Sequence, residues 1–477
     1  MNNEQKFIRR AVLTAAASLL LASPALAAEF TDGDSITHPE AVEELADIGV
    51  ISGRPDGSFD PNGAASRAEM AKMLSLLLDP EASGFPSAGF TDVSGTWAEM
   101  YINHCCSLGL IAGRGDGSFD PDGTVTGTET AKMLLAAAGY DASVFTGAGW
   151  DARVNEAART AGLYTDFTAE PAAPLTRDGA ALLLYNGLSL LDNRVSALSR
   201  APTGIAVMPD GSLLITDTFS RTVCQLKDGT LTLYAGMATE ATDANGRPFG
   251  GYYDAAAGKS TFKLPWAAAP FLDGWAVSDA ENNVVRLIQN GRVMTINPQV
   301  SGGESASFAY PTGLASAPDG SLYVSDTHNG RICRINPDGT MQAVASGLQD
   351  PMGLCWDGGA LYIAETGANR IVQLKDGKVA TLAGNGEEGY ADGSAAAARF
   401  SGPKAVTMGL DGALYVSDTG NSAIRVIKDG RVATVMMRDP ADEESVYPVS
   451  PMGLARQGRF LYVCDAFAGM LLTLLIR

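Results

Sequence analysis

The sequence predicts a multidomain α + all-β chain. A small three-unit helical domain comes first, followed by a six-bladed β-propeller closed by an N-terminal outer strand. Three observations predict it. Residues 49–61 and 109–121 repeat one another almost residue for residue, each between segments of helical period. After residue 200 short apolar runs of strand length recur between Asp-Gly and Asn-Gly turns, in six rounds. Residues 194–198 carry the fourth-strand pattern of that later half, although they precede it. Repetition on this scale marks stacked units that bury a core only together.

Residues 1–27 read as an export signal outside the fold. Lys6, Arg9 and Arg10 precede an apolar run over 11–21, and Ala25-Leu-Ala27 is a small-x-small cleavage site. No later stretch is long and apolar enough to span a bilayer as a helix, so no membrane insertion is expected after cleavage. The chain of 477 residues carries a formal charge of −20, and cleavage makes the rest more acidic still. Such a charge repels nucleic acid at long range and excludes it as a partner. The six cysteines include no Cys-x-x-Cys pair; Cys224 and Cys333 fall at matching strand positions, as small apolar fillers.

The helical domain is expected over 29–192, with copies at 30–80, 90–140 and 148–192. Val42, Leu45 and Ile48 line one face of the first helix; Tyr101, Ile102, Cys105 and Leu108 line its counterpart. The repeated loops are Gly49-Val-Ile-Ser-Gly-Arg-Pro-Asp-Gly-Ser-Phe-Asp-Pro61 and Gly109-Leu-Ile-Ala-Gly-Arg-Gly-Asp-Gly-Ser-Phe-Asp-Pro121, and Phe59 and Phe119 are set to plug them. Ser66 with Glu69, and Thr126 with Glu129, have the spacing of capping boxes that start the next helix. The third copy lacks the Asp-Gly-x-Phe loop but keeps a helix start at Thr176-Arg-Asp-Gly.

These residues, with Phe90-Thr-Asp-Val and Trp97-Ala, resemble the S-layer homology family. The resemblance implies a three-pronged helical domain that binds secondary cell-wall polysaccharide, often pyruvylated, in grooves between copies. It implies an exported protein of the cell wall or S-layer. The residues proposed for that contact are Arg67, Asp92, Trp97 and Arg177. An arginine fork suits a ketal carboxylate, and Trp97 has the surface to stack on a sugar. A large aromatic in so small a domain is nevertheless expected in the core.

The propeller is expected over 193–477. First strands begin after Pro202, Pro265, Pro311, Pro351, Pro403 and Pro451. Second strands at 213–216, 275–278, 322–325, 361–364, 414–417 and 461–464 each run into an acid: Asp217, Asp279, Asp326, Glu365, Asp418 and Asp465. Third and fourth strands follow in five rounds; the sixth round stops after three, and 194–198 is expected to supply its outer strand and remove an open edge. Tyr323-Val-Ser-Asp-Thr-His-Asn-Gly-Arg-Ile and Tyr415-Val-Ser-Asp-Thr-Gly-Asn-Ser-Ala-Ile resemble the NHL repeat, which implies a six-bladed propeller that usually serves as a binding surface.

The six acids recur once per blade, so they are expected to accept hydrogen bonds from their own turns rather than to do chemistry. Of three histidines, His38, His104 and His328, only the last lies in the propeller, which excludes a histidine-built zinc site there. No cofactor is expected; Glu281, Asn282, Asn329 and Asn421 leave Ca²⁺ as the alternative. The long connectors at 236–264 and 384–402 and the acidic insertion at 439–447 break the symmetry. They should gather with the acid turns on one face, which makes Tyr252, Tyr253, Tyr390 and Tyr447 candidates for binding an unknown protein or small ligand. A carboxylate-metal lactonase or lyase with its site at the channel mouth is the rival reading.

Overall fold

The computed structural model describes residues 30–192, 194–197, 201–227, 229–237, 242, 250–300, 307–437 and 448–476. The expected signal segment and Tyr447 lie outside them. The chain divides into two compact units, one formed mainly by residues before Val195 and one mainly by those after it.

Among the described residues the helical unit holds six α-helices: α1 (Pro39–Asp47), α2 (Arg67–Leu78), α3 (Glu99–Ser107), α4 (Gly127–Ala137), α5 (Trp150–Thr160) and α6 (Arg177–Leu191). They form three helix–loop–helix copies, α1–α2, α3–α4 and α5–α6. Both expected capping boxes are present: Ser66 Oγ accepts from the Glu69 N–H, and Thr126 Oγ1 from the Glu129 N–H, both at 3.1 Å. A cap of this kind contributes about 1 kcal/mol. The copies meet through backbone. The Ala65 N–H donates to the Leu175 carbonyl and the Leu175 N–H to the Val125 carbonyl, both at 2.8 Å; the Val125 N–H returns to the Ala65 carbonyl at 3.2 Å. The cycle sits one residue before each helix cap, among fully buried side chains, so no copy can complete its backbone pairing alone.

The second unit consists of six antiparallel four-stranded sheets, one with a short fifth strand. Pro311–Ser316, Leu322–Asp326, Arg331–Ile335 and Met341–Ser346 make the third blade in simple up-and-down order. In the sixth blade Pro451–Gln457, Phe460–Asp465 and Met470–Leu475 are completed on the outside by Arg194–Ala197, the closure expected from the sequence. First strands of successive blades pack against one another from Pro202–Val207 round to Pro451–Gln457 and back, so the ring is closed. Ser or Thr hydroxyls on second strands tie neighbouring blades: Thr216 to the Trp266 carbonyl, Ser278 to Thr312, Ser325 to Met352 and Ser417 to Met452, at 2.5–2.8 Å. The approach is close enough that a Cβ on Gly313 would lie 1.9 Å from the Met352 carbonyl oxygen, which is why the first strand carries glycine there.

The described parts of the long connectors meet the acid turns: Asn282 donates to the Gly251 carbonyl and Asn421 to the Gly389 carbonyl, both at 2.9 Å. The described part of the first pairs with the outer strand of the second blade, through Ala256 opposite Arg292. In the second, Gly393–Ser394 pairs with Arg431–Met437 of the fifth blade. Both cover an edge that would otherwise expose unpaired backbone groups.

Candidate functional site

In the helical unit the two expected arginines are spent on the protein itself. Arg67 is 6% exposed; its Nε donates to the Phe119 carbonyl at 2.9 Å and its Nη2 to the Ala112 carbonyl at 2.8 Å. Arg177, 8% exposed, does the same for the first copy: Nε to the Phe59 carbonyl at 2.8 Å, Nη1 to Glu69 at 2.7 Å and Nη2 to the Ser52 carbonyl at 3.2 Å. Each guanidinium lies over the phenylalanine whose carbonyl it binds, 4.4 and 5.0 Å from the ring centre. Burial pushes both arginines below their ordinary value. Asp92 is equally committed, accepting the Phe119 and Asp120 N–H groups at 2.8 and 2.7 Å, as Asp32 accepts those of Phe59 and Asp60. These bonds hold both carboxyls below the usual aspartate range, the Phe59 and Phe119 N–H groups contributing most.

Arg67 and Asp92 thus meet on one loop, as backbone clamps. Trp97 is not the core residue expected: its ring is 61% exposed and free to stack on a ligand. Gly127 takes the place of the third arginine, and Phe167 and the Pro171 carbonyl fill that space, 3.1 and 3.2 Å from where a Cβ would sit.

Two partly exposed cations on the matched loops, Arg54 and Arg114, were passed over by sequence reasoning. Arg54 bridges Glu69 at 2.9 Å and Asp60 at 3.1 Å, beside a hollow of about 520 Å³ lined by Asp32, Arg54, Pro55, Asp56, Ser58 and Asp60. Arg114 holds Asp120 at 3.0 Å and approaches Glu129 at 3.9 Å. The signal was available: both matched loops place Arg directly after the same glycine, on a loop, where burial does not account for a charge.

In the propeller the six acids are buried and serve the blades. Asp326 accepts from the Ala309 N–H, Asn329 and Arg331; Glu365 from the Gln349 N–H and Arg370; Asp465 from backbone N–H groups of residues 449, 450, 467 and 468. Asp279 and Asp418 each receive a wholly buried arginine, Arg286 at 3.2 Å and Arg425 at 2.6 Å. Burial pushes both carboxyls up, against the pull of those donors. Asp217 differs: it accepts from the Ser220 N–H, and its second oxygen has no partner among the described residues. Thr222 and Cys224 stand in its third strand, where other blades place the arginine.

Arg286 and Arg425 also explain the tyrosines. Arg286 binds Asp254 of the connector at 2.6 Å and lies between the rings of Tyr252 and Phe262. Arg425 binds Asp392 at 2.6 Å between Tyr390 and Phe400. The tyrosine hydroxyls bond to the outer strands, Tyr252 to Thr295 and Tyr390 to Thr434, each at 2.8 Å. The connectors are therefore two copies of one brace. Tyr252 and Tyr390 remain 55% and 46% exposed on their other faces, three blades apart in the ring. Tyr253 is also exposed and lends its carbonyl to Arg286.

Among the described residues no group of three or more His, Cys, Asp or Glu is placed to hold a metal. Asn282, Asn329 and Asn421 donate within their own turns, in three different blades. No described helix is long and apolar enough to cross a membrane.

Residues 29–71 and 89–131 match the S-layer homology domain, and residues 308–335 match the NHL repeat. The S-layer protein EA1 of Bacillus anthracis is 29% identical over 138 residues, covering 28% of this chain and 16% of that protein. The surface-layer 125 kDa protein of Lysinibacillus sphaericus is 32% identical over 139 residues, covering 28% of this chain and 12% of that protein. The chain thus spans a small part of the length of these relatives. A gluconolactonase structure from Xanthomonas campestris covers 60% of this chain and 90% of its own, at 16% identity and a TM-score of 0.45, a likeness that says nothing of activity. The chain carries two S-layer homology domains, the mark of cell-wall and S-layer association, joined to a six-bladed β-propeller that contains an NHL repeat.

Proposed function

We propose that the protein is held noncovalently at the cell surface by its helical unit, which binds wall polysaccharide, and that its propeller presents a binding face to the surroundings. The observation that carries this reading is the pair of matched half-exposed arginines, Arg54 and Arg114, each set among carboxylates at the loop of an S-layer homology domain. Guanidinium and carboxylate groups side by side donate to and accept from sugar hydroxyls, and the exposed Trp97 ring offers a stacking surface. Arg67, Asp92 and Arg177 fix the loops that carry these arginines and do not themselves touch the polymer. Two of the three copies carry this arginine; the third lacks the Gly-Arg loop.

The test is sedimentation of the full chain with purified wall, before and after removal of its secondary polysaccharide. The protein is expected in the pellet with intact wall and in the supernatant with stripped wall. Equal sedimentation with both would remove the polysaccharide from the reading.

A further inference from the structure

The inner ends of the first strands lie on the same side of the ring as the buried acids, because Pro202, Pro265, Pro311 and Pro351 pair with the acids that end the second strands. The residue after each proline therefore belongs to the inner ring at that mouth. In blade order these residues are Thr203, Trp266, Thr312, Met352, Lys404 and Met452. Five are uncharged and one is a lysine.

Lys404 is half-buried, and the hydrogen bond its ammonium makes is to the Met352 sulfur at 3.3 Å. A thioether is a weak acceptor, and an ammonium has three donors to place. Burial pushes the amine below its ordinary value, with Asp350 pulling it back up. A half-buried ammonium beside so poor a partner is well placed to take up an anion. Five of the six buried acids are engaged in their own turns, and Asp217, whose second oxygen has no partner among the described residues, stands two blades away from Lys404.

Blade two stands opposite blade five in a closed ring of six. Trp266 is therefore across the mouth from Lys404. It meets Tyr310 edge to face at 6.3 Å, and Tyr310 stacks on His328 at 4.5 Å. The mouth thus offers an ammonium on one side, an aromatic wall on the other, and methionine and threonine between.

We propose that Lys404 anchors the carboxylate of a small ring-bearing acid at the channel mouth, with the ring of that ligand against Trp266. This rests on the reading of the propeller as a binding module, and it gives that module a ligand class. A flat aromatic acid and an acidic sugar share the required chemistry.

Full-length protein is titrated calorimetrically with benzoate and with glucuronate, and with benzyl alcohol and glucose as uncharged counterparts. At least one of the two acids is expected to bind, its counterpart at least tenfold more weakly. Lys404→Gln should weaken that acid at least tenfold, and Lys404→Arg should retain most of the affinity. Trp266→Ala should weaken it while the thermal transition of the propeller persists. Failure of both acids to bind the unmodified protein, or equal binding by the Lys404→Gln protein, overturns the proposal. Wall sedimentation is read separately, so failure here leaves the anchoring function standing, and failure there leaves this site standing.

Discussion

Arg67 and Asp92 grip a single residue, Phe119, from its two ends: Arg67 Nε donates to its carbonyl at 2.9 Å, and Asp92 accepts its N–H at 2.8 Å. The arginine comes from the first copy and the aspartate from the second, so the grip is also a joint between copies. Arg177 and Asp32 repeat it on Phe59, joining the third copy to the first. The two residue types that looked best suited to bind a ligand thus hold the loops that carry Arg54 and Arg114.

Removing Arg177 should therefore be a stability lesion. Arg177→Met leaves the Phe59 and Ser52 carbonyls without their donor and Glu69 with Arg54 as its remaining arginine. The expected loss is about 3 kcal/mol, read as a lower denaturant midpoint for the helical unit. Arg177→Lys should recover little, since an ammonium cannot reproduce the planar fork. A midpoint unchanged in Arg177→Met would show that the joint contributes nothing.

Acid should loosen the same joints. Asp32 and Asp92 have folded-state values below the unfolded one, so their stabilisation is present above the unfolded value of about 3.9 and is lost as pH falls through the lower folded values. Urea midpoints of the helical unit should hold steady from about pH 6 to pH 4 and then fall. Asp92→Asn keeps an acceptor oxygen without a titrating charge and should flatten part of that fall. An acid limb unaltered in Asp92→Asn would place the titration elsewhere.

In the propeller the two aspartates around Arg425 should differ in cost. Asp418 is fully buried with it, whereas Asp392 is 40% exposed. Asp418→Ala leaves a buried cation short of its partner and should cost about 3 kcal/mol. Asp392→Ala lets water replace the lost oxygens and should cost roughly 1 kcal/mol. Thermal unfolding of the two variants checks the order; equal losses would contradict the burial argument.

Much of this architecture was legible because repeats report on themselves. The Asp-Gly turns, the acid ending each second strand and the stray fourth-strand pattern at 194–198 were enough to place six blades and their closure. The capping boxes were legible because the spacing of Ser66 and Glu69 has one local meaning. The bracing role of the connectors was not legible, because a long loop and an edge-covering strand look alike until the buried arginines, Arg286 and Arg425, are seen to reach into them. Trp97 was misread because composition favours the core for tryptophan and says nothing of which way one ring faces. Lys404 stood out only once the six residues after the prolines were known to share one ring.

The most direct measurement is the affinity of full-length protein for purified wall polysaccharide, compared with an Arg54→Ala/Arg114→Ala variant. Both side chains are partly exposed, and each shares a carboxylate with a joint arginine, Arg54 through Glu69 with Arg177 and Arg114 through Glu129 with Arg67, so the affinity is read on variant protein whose circular dichroism spectrum and thermal midpoint show it folded. The account predicts at least a tenfold loss of affinity. Unchanged affinity in the folded variant would contradict it and move the polymer away from these loops.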